Sequence, residues 1–281
     1  MITERKLVSE RKLTAQCARL RRLILDTAID AGGGHIAPAF SALEIVAALY
    51  YWFLDVDPKN PKWTDRERFI LSKGHGCLAL YAVLAERGFF PVTELKTFTR
   101  PGTFLGGHPD LKCPGVDAAT GALGHGLSLG VGVALAARLD RHPRRTFVVM
   151  SDGECQEGSV WEAALLAAHL GLDSLTAVLD YNKLQSLGPV SEVMSSAAPV
   201  PDKWRAFGWG VTEVDGHDLG ALRATFSRLP LESGKPSMVV AHTIKGKGIS
   251  YMEQNPIWHY RTPNPDEAAQ ARRELDQAIT A

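Results

Sequence analysis

The stretch Ser151-Asp-Gly-Glu-Cys-Gln-Glu-Gly-Ser-Val-Trp-Glu-Ala163 determines how the rest of this sequence is interpreted. It follows an apolar run at residues 146–150, which predicts a buried strand. It leads into residues 161–172, whose apolar and alanine positions predict a packed helix. A strand, a polar turn with an acidic residue and glycine, and then a helix is the arrangement that holds a ligand at the carboxyl edge of a parallel sheet.

A second apolar run, at residues 175–179, ends in Asp180-Tyr-Asn-Lys-Leu-Gln185. Two consecutive strands of a right-handed βαβ unit would present Asp152 and Asn182 at the same edge of the sheet. Carboxylate and amide oxygens are hard ligands, and phosphate oxygens could complete their coordination shell. The two side chains therefore predict a site for Mg²⁺ or Ca²⁺.

Composition limits the function classes. The 281 residues are 45% hydrophobic and 22% charged with zero formal net charge, which is ordinary for a globular protein and gives no sign of nucleic-acid binding. No uninterrupted apolar run reaches membrane-spanning length, and the charged amino terminus lacks a secretory signal, so no membrane association is expected. The cysteines form no C-x-x-C pair, and we expect reduced thiols in a cytoplasmic protein.

Strand-like and helix-like segments alternate along the chain. The alternation predicts an α/β fold in which residues 1–281 form a single domain, with a doubly wound, mainly parallel sheet and helices on both faces. Further strands are predicted at residues 68–72, 210–214 and 237–241, and further helices at 7–30, 42–54, 120–139, 219–228 and from 266 onward.

Three of these helices carry more detailed expectations. Ser41 and Glu44 form a capping-box pattern at the start of the 42–54 helix. The arginines of the 7–30 helix predict a solvated face or a subunit contact, and the last helix is expected to be exposed. The helix ending near residue 139 is rich in glycine, which is expected where a helix lies very close to another backbone or to a ligand.

Histidines in glycine-bearing or aromatic loops form the second candidate set. Such loops let the ring approach a ligand, and no His-Glu-x-x-His or Cys/His spacing favours zinc instead. The five members are His35, His75, His108, His125 and His259. A run of glycines at Gly121, Gly124 and Gly126 lacks the G-x-G-x-x-G spacing of a dinucleotide site, but its backbone amides could hold a diphosphate. Lys73, Lys245 and Lys247 could add positive charge, although exposed lysines are usually only solvated.

Several motifs together resemble one family. Asp152-Gly153-Glu154 followed by Asn182 resembles the thiamine diphosphate and metal motif. The chain is similar to transketolases in particular, with motifs in the right order from Gly34-His35 to Trp258-His259. The other matching motifs are Leu71-Ser-Lys-Gly-His-Gly76, Gly107-His-Pro109, Thr120-Gly-Ala-Leu-Gly-His-Gly126 and Glu157-Gly-Ser-Val-Trp-Glu-Ala163.

The resemblance implies thiamine diphosphate and Mg²⁺ or Ca²⁺ as cofactors. It implies that the metal is held by Asp152, the Asn182 side chain and the Leu184 carbonyl. Cofactor contacts are implied for His75, Gly121, Ala122, Leu123, Gly153, Glu154, Asn182 and His259. Catalytic roles are implied for His35, His108 and His259, which would stabilise an alkoxide and move its proton, and for Glu157, which would lie at a subunit boundary.

One position departs from the family pattern within the opening stretch. Ser151 stands where these proteins usually have glycine. If the backbone there has a positive φ, a serine side chain would strain it.

The length of the chain matches only the diphosphate-binding part of a transketolase. The resemblance therefore implies a split enzyme that transfers a two-carbon ketol unit between sugars or sugar phosphates. A C-terminal transketolase-like subunit would supply the pyrimidine-binding domain in an α2β2 heterotetramer. The alternatives are an α subunit of a 2-oxo acid dehydrogenase or decarboxylase, and a non-catalytic regulatory homologue. The histidine loops and Glu157-Gly158 count against the first alternative, and intact Asp152 and Asn182 count against the second.

Overall fold

A parallel sheet forms the centre of the molecule. The computed structural model describes residues 8–142, 144–197 and 200–280. Within these ranges the sheet has the strand order β1-β2-β3-β5-β4, and every neighbouring pair is parallel. The strands are β1 (Arg68–Leu71), β2 (Thr146–Ser151), β3 (Leu175–Tyr181), β4 (Gly210–Asp215) and β5 (Ser237–His242). The predicted fold class is confirmed.

Helices cover both faces of the sheet. They are α1 (Glu10–Asp30), α2 (Ile36–Ala48), α3 (Cys77–Glu86), α4 (His125–Leu139), α5 (Gly158–His169), α6 (Val190–Val193), α7 (Val200–Ala206), α8 (Leu219–Phe226) and α9 (Pro265–Thr280). A π-helical turn, Leu49–Phe53, extends α2, and short 3₁₀ turns include Gly74–Gly76 and Val92–Thr97. The prediction that a helix starts at residue 7 falls partly outside the described residues.

The two apolar cores explain why β2 lacks polar alternation. Every residue of β2 is buried, with Phe147 and Val149 in one core and Val148 and Met150 in the other. The first core packs against α1, α2, α3, α8 and α9, and the second against α4, α5 and α7. A parallel strand covered on both faces reads as a continuous apolar run.

The start of α2 corrects the capping-box prediction. The helix begins at Ile36 with His35 at its N-cap, and Pro38 lies in the first turn, where a missing N–H is tolerated. Ser41 and Glu44 are 0% and 5% exposed and point into the fold, so neither side chain caps a helix. The segment Ile36–Phe53 is long and apolar enough to cross a membrane by composition, but 94% of it is buried inside this fold.

The two terminal helices correct parts of two further predictions. Arg11 and Arg19 of α1 are exposed as predicted, but Arg21 is 9% exposed and pairs with Glu44, so this arginine lies on neither a solvated face nor a subunit contact. The last helix is not simply exposed, because Ala271 and Leu275 of α9 are 0% and 1% exposed in the core. Arg272 of α9 also pairs with Asp26 of α1 at 2.9 Å.

Candidate active site

The ends of β2 and β3 bring Asp152 and Asn182 to one edge of the sheet. Ser151 pairs with Asp180 in the register, and the side chains of Asp152 and Asn182 are 4% and 3% exposed. Asp152 Oδ2 accepts a hydrogen bond from the Lys183 amide at 2.6 Å, which ties the two turns together. The predicted juxtaposition is confirmed, and its cause is the parallel register.

A cleft of about 220 Å³ opens at this edge. Most of the predicted site residues line it, but His35, Ala122, Glu154 and Glu157 do not. Its walls are Pro38, His75, His108, Gly121, Leu123, Ser151, Asp152, Gly153, Asn182, Leu184, Gln185, Ser186, Lys245 and His259. His35 lines an adjoining cavity with Gly33, His108 and Tyr260. Loops distant in sequence therefore converge on two neighbouring spaces that share His108.

Four of the five loop histidines come together. The ring of His35 lies 5.4 Å from that of His75, 5.3 Å from that of His259 and 6.3 Å from that of His108, measured between centroids. His125 is exposed at the first residue of α4, and no ring contact of the described residues joins it to the other four. His125 therefore lies outside the histidine cluster, and a ligand-facing role for it remains a prediction. A glycine-bearing loop does not by itself set the direction of a ring.

The outer part of the site, which we call the rim, consists of His35, His108, His259 and Tyr260. Burial, then His108 and Lys245, lower the pKa of His35 to about 4. Burial, then Lys245 and His35, lower the pKa of His259 to about 3. Both rings are consequently neutral at pH 7. His259 Nδ1 lies 2.7 Å from the Lys245 ammonium and accepts a hydrogen bond from it, which leaves Nε2 as the protonated nitrogen.

Below the cleft lies a buried polar group that sequence reasoning missed. We call it the floor, and it consists of Ser41, Lys73, Asp180 and Thr243. Lys73 and Asp180 are fully buried and form an ion pair. Ser41 Oγ donates to Asp180 Oδ2 at 2.6 Å, and Thr243 Oγ1 donates to Asp180 Oδ1. Burial alone would raise the pKa of Asp180, but Lys73 lowers it below its usual value. The only signal in the sequence was an acidic residue at a strand end.

Lys245 is also buried, at 2% exposure. Its ammonium donates to the Leu184 carbonyl at 3.1 Å. Burial, then Lys73, lower the pKa of Lys245 to about 8. The expectation of solvated lysines was wrong for both Lys73 and Lys245, because each ammonium has oxygen partners inside the fold.

Glu154 holds the cleft walls in place. Its buried carboxylate accepts hydrogen bonds from the Ser72 hydroxyl, from the Gly124 amide at 2.8 Å and from the Ser151 amide at 3.3 Å. It thus joins the end of β1, the start of α4 and the turn after β2. A direct contact between Glu154 and a cofactor remains a prediction.

Close packing explains the glycines of α4. A Cβ at Gly126 would lie 2.2 Å from Ser72 Oγ, and one at Gly130 would lie 2.5 Å from Val148 Cγ2. Both are closer than real Cβ contacts. The prediction of close approach to another backbone is confirmed at Gly126, where the Ser72 Cα would lie 2.7 Å away, whereas Gly130 makes room for a strand side chain. Gly121 lies in the site itself. A Cβ at this position would be 3.2 Å from the His108 ring, so a glycine leaves room for that ring.

Backbone strain lies elsewhere than predicted. Ser151 ends β2 in an extended strand and is not among the residues with positive φ. Lys183 has a φ of +66°, a conformation that costs energy for a side-chain-bearing residue. The condition for strain at Ser151 is therefore not met. Lys183 is one of four described residues other than glycine with a positive φ, and its amide bonds Asp152.

The donor set around Asp152 fits a hard cation shared with phosphates. Burial, then the charge of Asp180, raise the pKa of Asp152 to about 6. A cation bound beside this carboxylate would lower the pKa again and favour the ionised form. The described residues contain no group of three or more His, Cys, Asp or Glu that could hold a metal by themselves. One carboxylate, an amide oxygen and a carbonyl oxygen match Mg²⁺, which is usually completed by water and phosphate oxygens.

The remaining predicted residues lie outside the cleft. Glu157 is exposed at the N-cap of α5, and its place at a subunit boundary remains a prediction. All four cysteines are buried and free of disulfides. Burial, and then the charges of Glu154 and Asp152, raise the pKa of Cys155 well above its usual value, which favours the protonated thiol over the nucleophilic thiolate.

Known proteins place this geometry in a family. The family description "Transketolase, thiamine diphosphate binding domain" matches residues 12–278. One of the subunits of the apulose-4-phosphate transketolase of Phocaeicola vulgatus is 41% identical over 267 residues, which cover 95% of each protein. The 6-deoxy-6-sulfo-D-fructose transketolase subunit SqwG of a Clostridium species is 44% identical over 242 residues, covering 86% of this chain and 88% of that one.

Solved structures agree with these matches. The transketolase of Campylobacter jejuni superposes with a TM-score of 0.89 at 28% identity, covering 96% of this chain and 43% of that one. This protein therefore corresponds to less than half of that transketolase and to nearly the whole of the Phocaeicola subunit. The chain belongs to the transketolase family, as a subunit that contains the thiamine diphosphate binding domain.

Proposed function

We propose that this chain binds thiamine diphosphate through Mg²⁺ or Ca²⁺ and acts with a second polypeptide to transfer a two-carbon ketol unit. The donor would be a ketose or ketose phosphate, and the acceptor an aldose or similar aldehyde. The carrying observation is the convergence of Asp152 and Asn182 with His75, His108 and His259 around one cleft. This combines oxygen ligands for a cation with imidazoles next to the same space.

The proposed roles divide between the residues deep in the cleft, which would hold the cation and the cofactor, and the rim. Asp152, Asn182 and the Leu184 carbonyl would hold the cation, and His75, Gly121, Leu123 and Gly153 would contact the cofactor. Bound thiamine diphosphate would supply the nucleophilic carbon and the electron sink for carbon–carbon bond cleavage. The protein then has to orient the reactants, exclude water and move protons.

The rim histidines would do the proton chemistry. Their lowered pKa values keep His35 and His259 neutral, and a neutral imidazole can donate one hydrogen bond and accept another near pH 7. His259 Nε2 would donate a hydrogen bond to a developing substrate alkoxide, because Nδ1 is occupied by Lys245. His108, exposed at the mouth of both cavities, would face the substrate hydroxyls.

A partner chain completes the proposal. Relatives of nearly the same length are named as subunits of transketolases, whereas the Campylobacter enzyme is more than twice as long as the part matched here. The partner would be a C-terminal transketolase-like subunit with the pyrimidine-binding domain, in an α2β2 assembly. We also propose a cytoplasmic location for this assembly, with sugars or sugar phosphates as substrates.

Reconstitution tests the proposal. Ketol transfer would be measured for this chain alone, for the candidate partner alone and for the mixture, with thiamine diphosphate and Mg²⁺. The substrate panel would include apulose 4-phosphate and 6-deoxy-6-sulfofructose, which the names of two relatives mention. We expect activity only in the mixture. Full activity of this chain alone would contradict the split-enzyme proposal.

A further inference from the structure

A second group of buried polar side chains lies between α1, α2 and the turn after β4. Arg21 and Glu44 form a two-point ion pair with nitrogen–oxygen distances of 2.6 and 2.7 Å, and their side chains are 10% and 6% exposed. His217 places Nδ1 2.9 Å from Glu44 Oε2. None of these three residues lines the cleft, and the proposed reaction does not use them.

The two nitrogens of the His217 ring have different partners. The Ile244 amide donates a hydrogen bond to Nε2 at 2.8 Å, so Nε2 must be the unprotonated nitrogen. Burial would raise the pKa of Glu44, but Arg21 and the hydrogen bond from His217 lower it to about 2. Glu44 is therefore a carboxylate and Nδ1 is its donor. Together these contacts select one neutral tautomer of His217.

The acceptor nitrogen of His217 bonds the backbone one residue before a cleft side chain. Ile244 is followed by Lys245, whose ammonium lies 2.7 Å from His259 Nδ1 and 3.1 Å from the Leu184 carbonyl. On the other side of Lys245, the Gly246 amide donates to the Ala37 carbonyl at 3.1 Å. The backbone that carries Lys245 is thus held at the amide before it and at the amide after it.

We propose that His217 is a positioning residue for the cofactor site. By accepting the Ile244 amide it sets the backbone from which Lys245 reaches His259 and the Leu184 carbonyl. The ion pair of Arg21 and Glu44 holds the ring in the required tautomer. This inference rests on the proposed cofactor site and extends it to a residue outside the cleft.

Two substitutions separate this role from a merely structural one. In His217→Gln the side-chain oxygen can take the place of Nε2 and accept from Ile244, but the contact with Glu44 is lost. In His217→Asn the amide nitrogen can take the place of Nδ1 and donate to Glu44, but nothing reaches Ile244. If His217 only donated a hydrogen bond to Glu44, Asn would be the milder change. If it positions Lys245, Gln would be the milder change.

The measurements are thiamine diphosphate affinity of the two-chain enzyme, by titration calorimetry with Mg²⁺, and amide hydrogen exchange across residues 243–248. We expect His217→Asn to weaken affinity about three- to tenfold, the value of one hydrogen bond, and to speed exchange at Ile244. His217→Gln should retain both properties. Equal losses in the two variants, or a larger loss in Gln, would overturn the proposal.

A double-mutant cycle tests whether the effect passes through Lys245. In a Lys245→Met background, His217→Asn should cause no further loss of cofactor affinity, whereas additive losses would refute the proposed route. The matched control is His242→Asn. His242 of β5 also pairs with a glutamate, Glu213 of β4, and these are the two strands that His217 and Ile244 follow. We expect that control to leave affinity and Ile244 exchange unchanged, and a loss there equal to that of His217→Asn would overturn the specific role of His217. If wild-type enzyme fails to bind thiamine diphosphate at all, the proposed function fails instead.

Discussion

The floor of the cleft and its rim satisfy their polar groups in different ways. In the floor, Lys73 and Asp180 are fully buried, and each has several partners from this chain alone. In the rim, His108 is exposed and Tyr260 is 61% exposed above the His35 ring, 4.5 Å away. The floor is therefore preorganised by contacts within this chain, whereas the rim, which is proposed to meet the substrate, is open to solvent.

Removing the carboxylate beside the floor should have the largest effect. Asp152→Ala takes away the one charged ligand proposed for the cation, and we expect metal-dependent thiamine diphosphate binding to be abolished in the two-chain enzyme. Titration calorimetry with and without Mg²⁺ measures this. Asp140→Ala is the control, because its ion pair with Arg144 lies at the surface. Unchanged affinity in Asp152→Ala would remove Asp152 from the metal site.

Breaking the floor should cost stability rather than catalysis alone. Lys73→Met leaves the Asp180 charge buried without its ion-pair partner, which should reduce the free energy of unfolding by about 3–5 kcal/mol. Urea denaturation of the purified chain tests this. Lys247→Met is the matched control, because the ion pair of Lys247 with Glu253 is long, at 3.8 Å, and partly exposed, and its loss should cost little stability. A loss no greater than the control would show that the floor does not preorganise the site.

Changing the rim should affect turnover more than cofactor affinity. His108→Ala removes an imidazole from the mouth of the cleft, and we expect kcat to fall on the order of 10²-fold, the lower end for general acid–base groups. Steady-state kinetics and cofactor titration of the reconstituted enzyme measure the two quantities. His125→Ala serves as the control, because that histidine is exposed and apart from the cluster. A larger effect on affinity than on kcat would assign His108 to cofactor binding.

The smallest expected effect is a pH dependence of stability. The pKa of His259 is about 3 in the folded chain against 6.5 as its ordinary value, so the unfolded chain binds more protons between these values. The contribution of neutral His259 to stability is thus present above pH 6.5 and is lost as pH falls toward 3. As pH falls from 6.5 to 3, the melting temperature of His259→Gln should fall less steeply than that of the wild-type chain. Parallel slopes would contradict the lowered pKa.

The raised pKa of Asp152 acts in the opposite direction. Its folded pKa of about 6 exceeds the ordinary 3.8, so protonation of Asp152 stabilises the fold as pH falls between these values. Asp152 is unchanged in His259→Gln, so the difference between the two slopes isolates the histidine.

Structural features that depend on local sequence pattern were predictable from the sequence. Asp152 and Asn182 follow apolar runs, and parallel strands end at a common edge, so their meeting required only local pattern and one rule of chain topology. The glycines at Gly126 and Gly130 signalled close helix packing by the same kind of local argument. The cofactor, the metal and the split architecture were inferred instead from family resemblance.

Local patterns failed where tertiary contacts competed with them. Ser41 and Glu44 have the spacing of a capping box, yet Asp180 and Arg21 bind these side chains inside the fold. His125 has glycine neighbours like the other loop histidines, but it lies exposed at the start of α4. Such outcomes depend on partners far away in the sequence or on the direction of a single ring.

The sequence by itself determined the order of strands and helices, the acidic turn at residues 151–163 and the residue types available for a cation and for proton transfer. Only the tertiary structure decided which of those side chains meet. It buried Lys73 against Asp180, joined His217 to the Ile244 amide and excluded His125 from the histidine cluster. The physical reason is that burial and hydrogen bonding are set by the packing of distant segments, which periodicity along the chain does not encode.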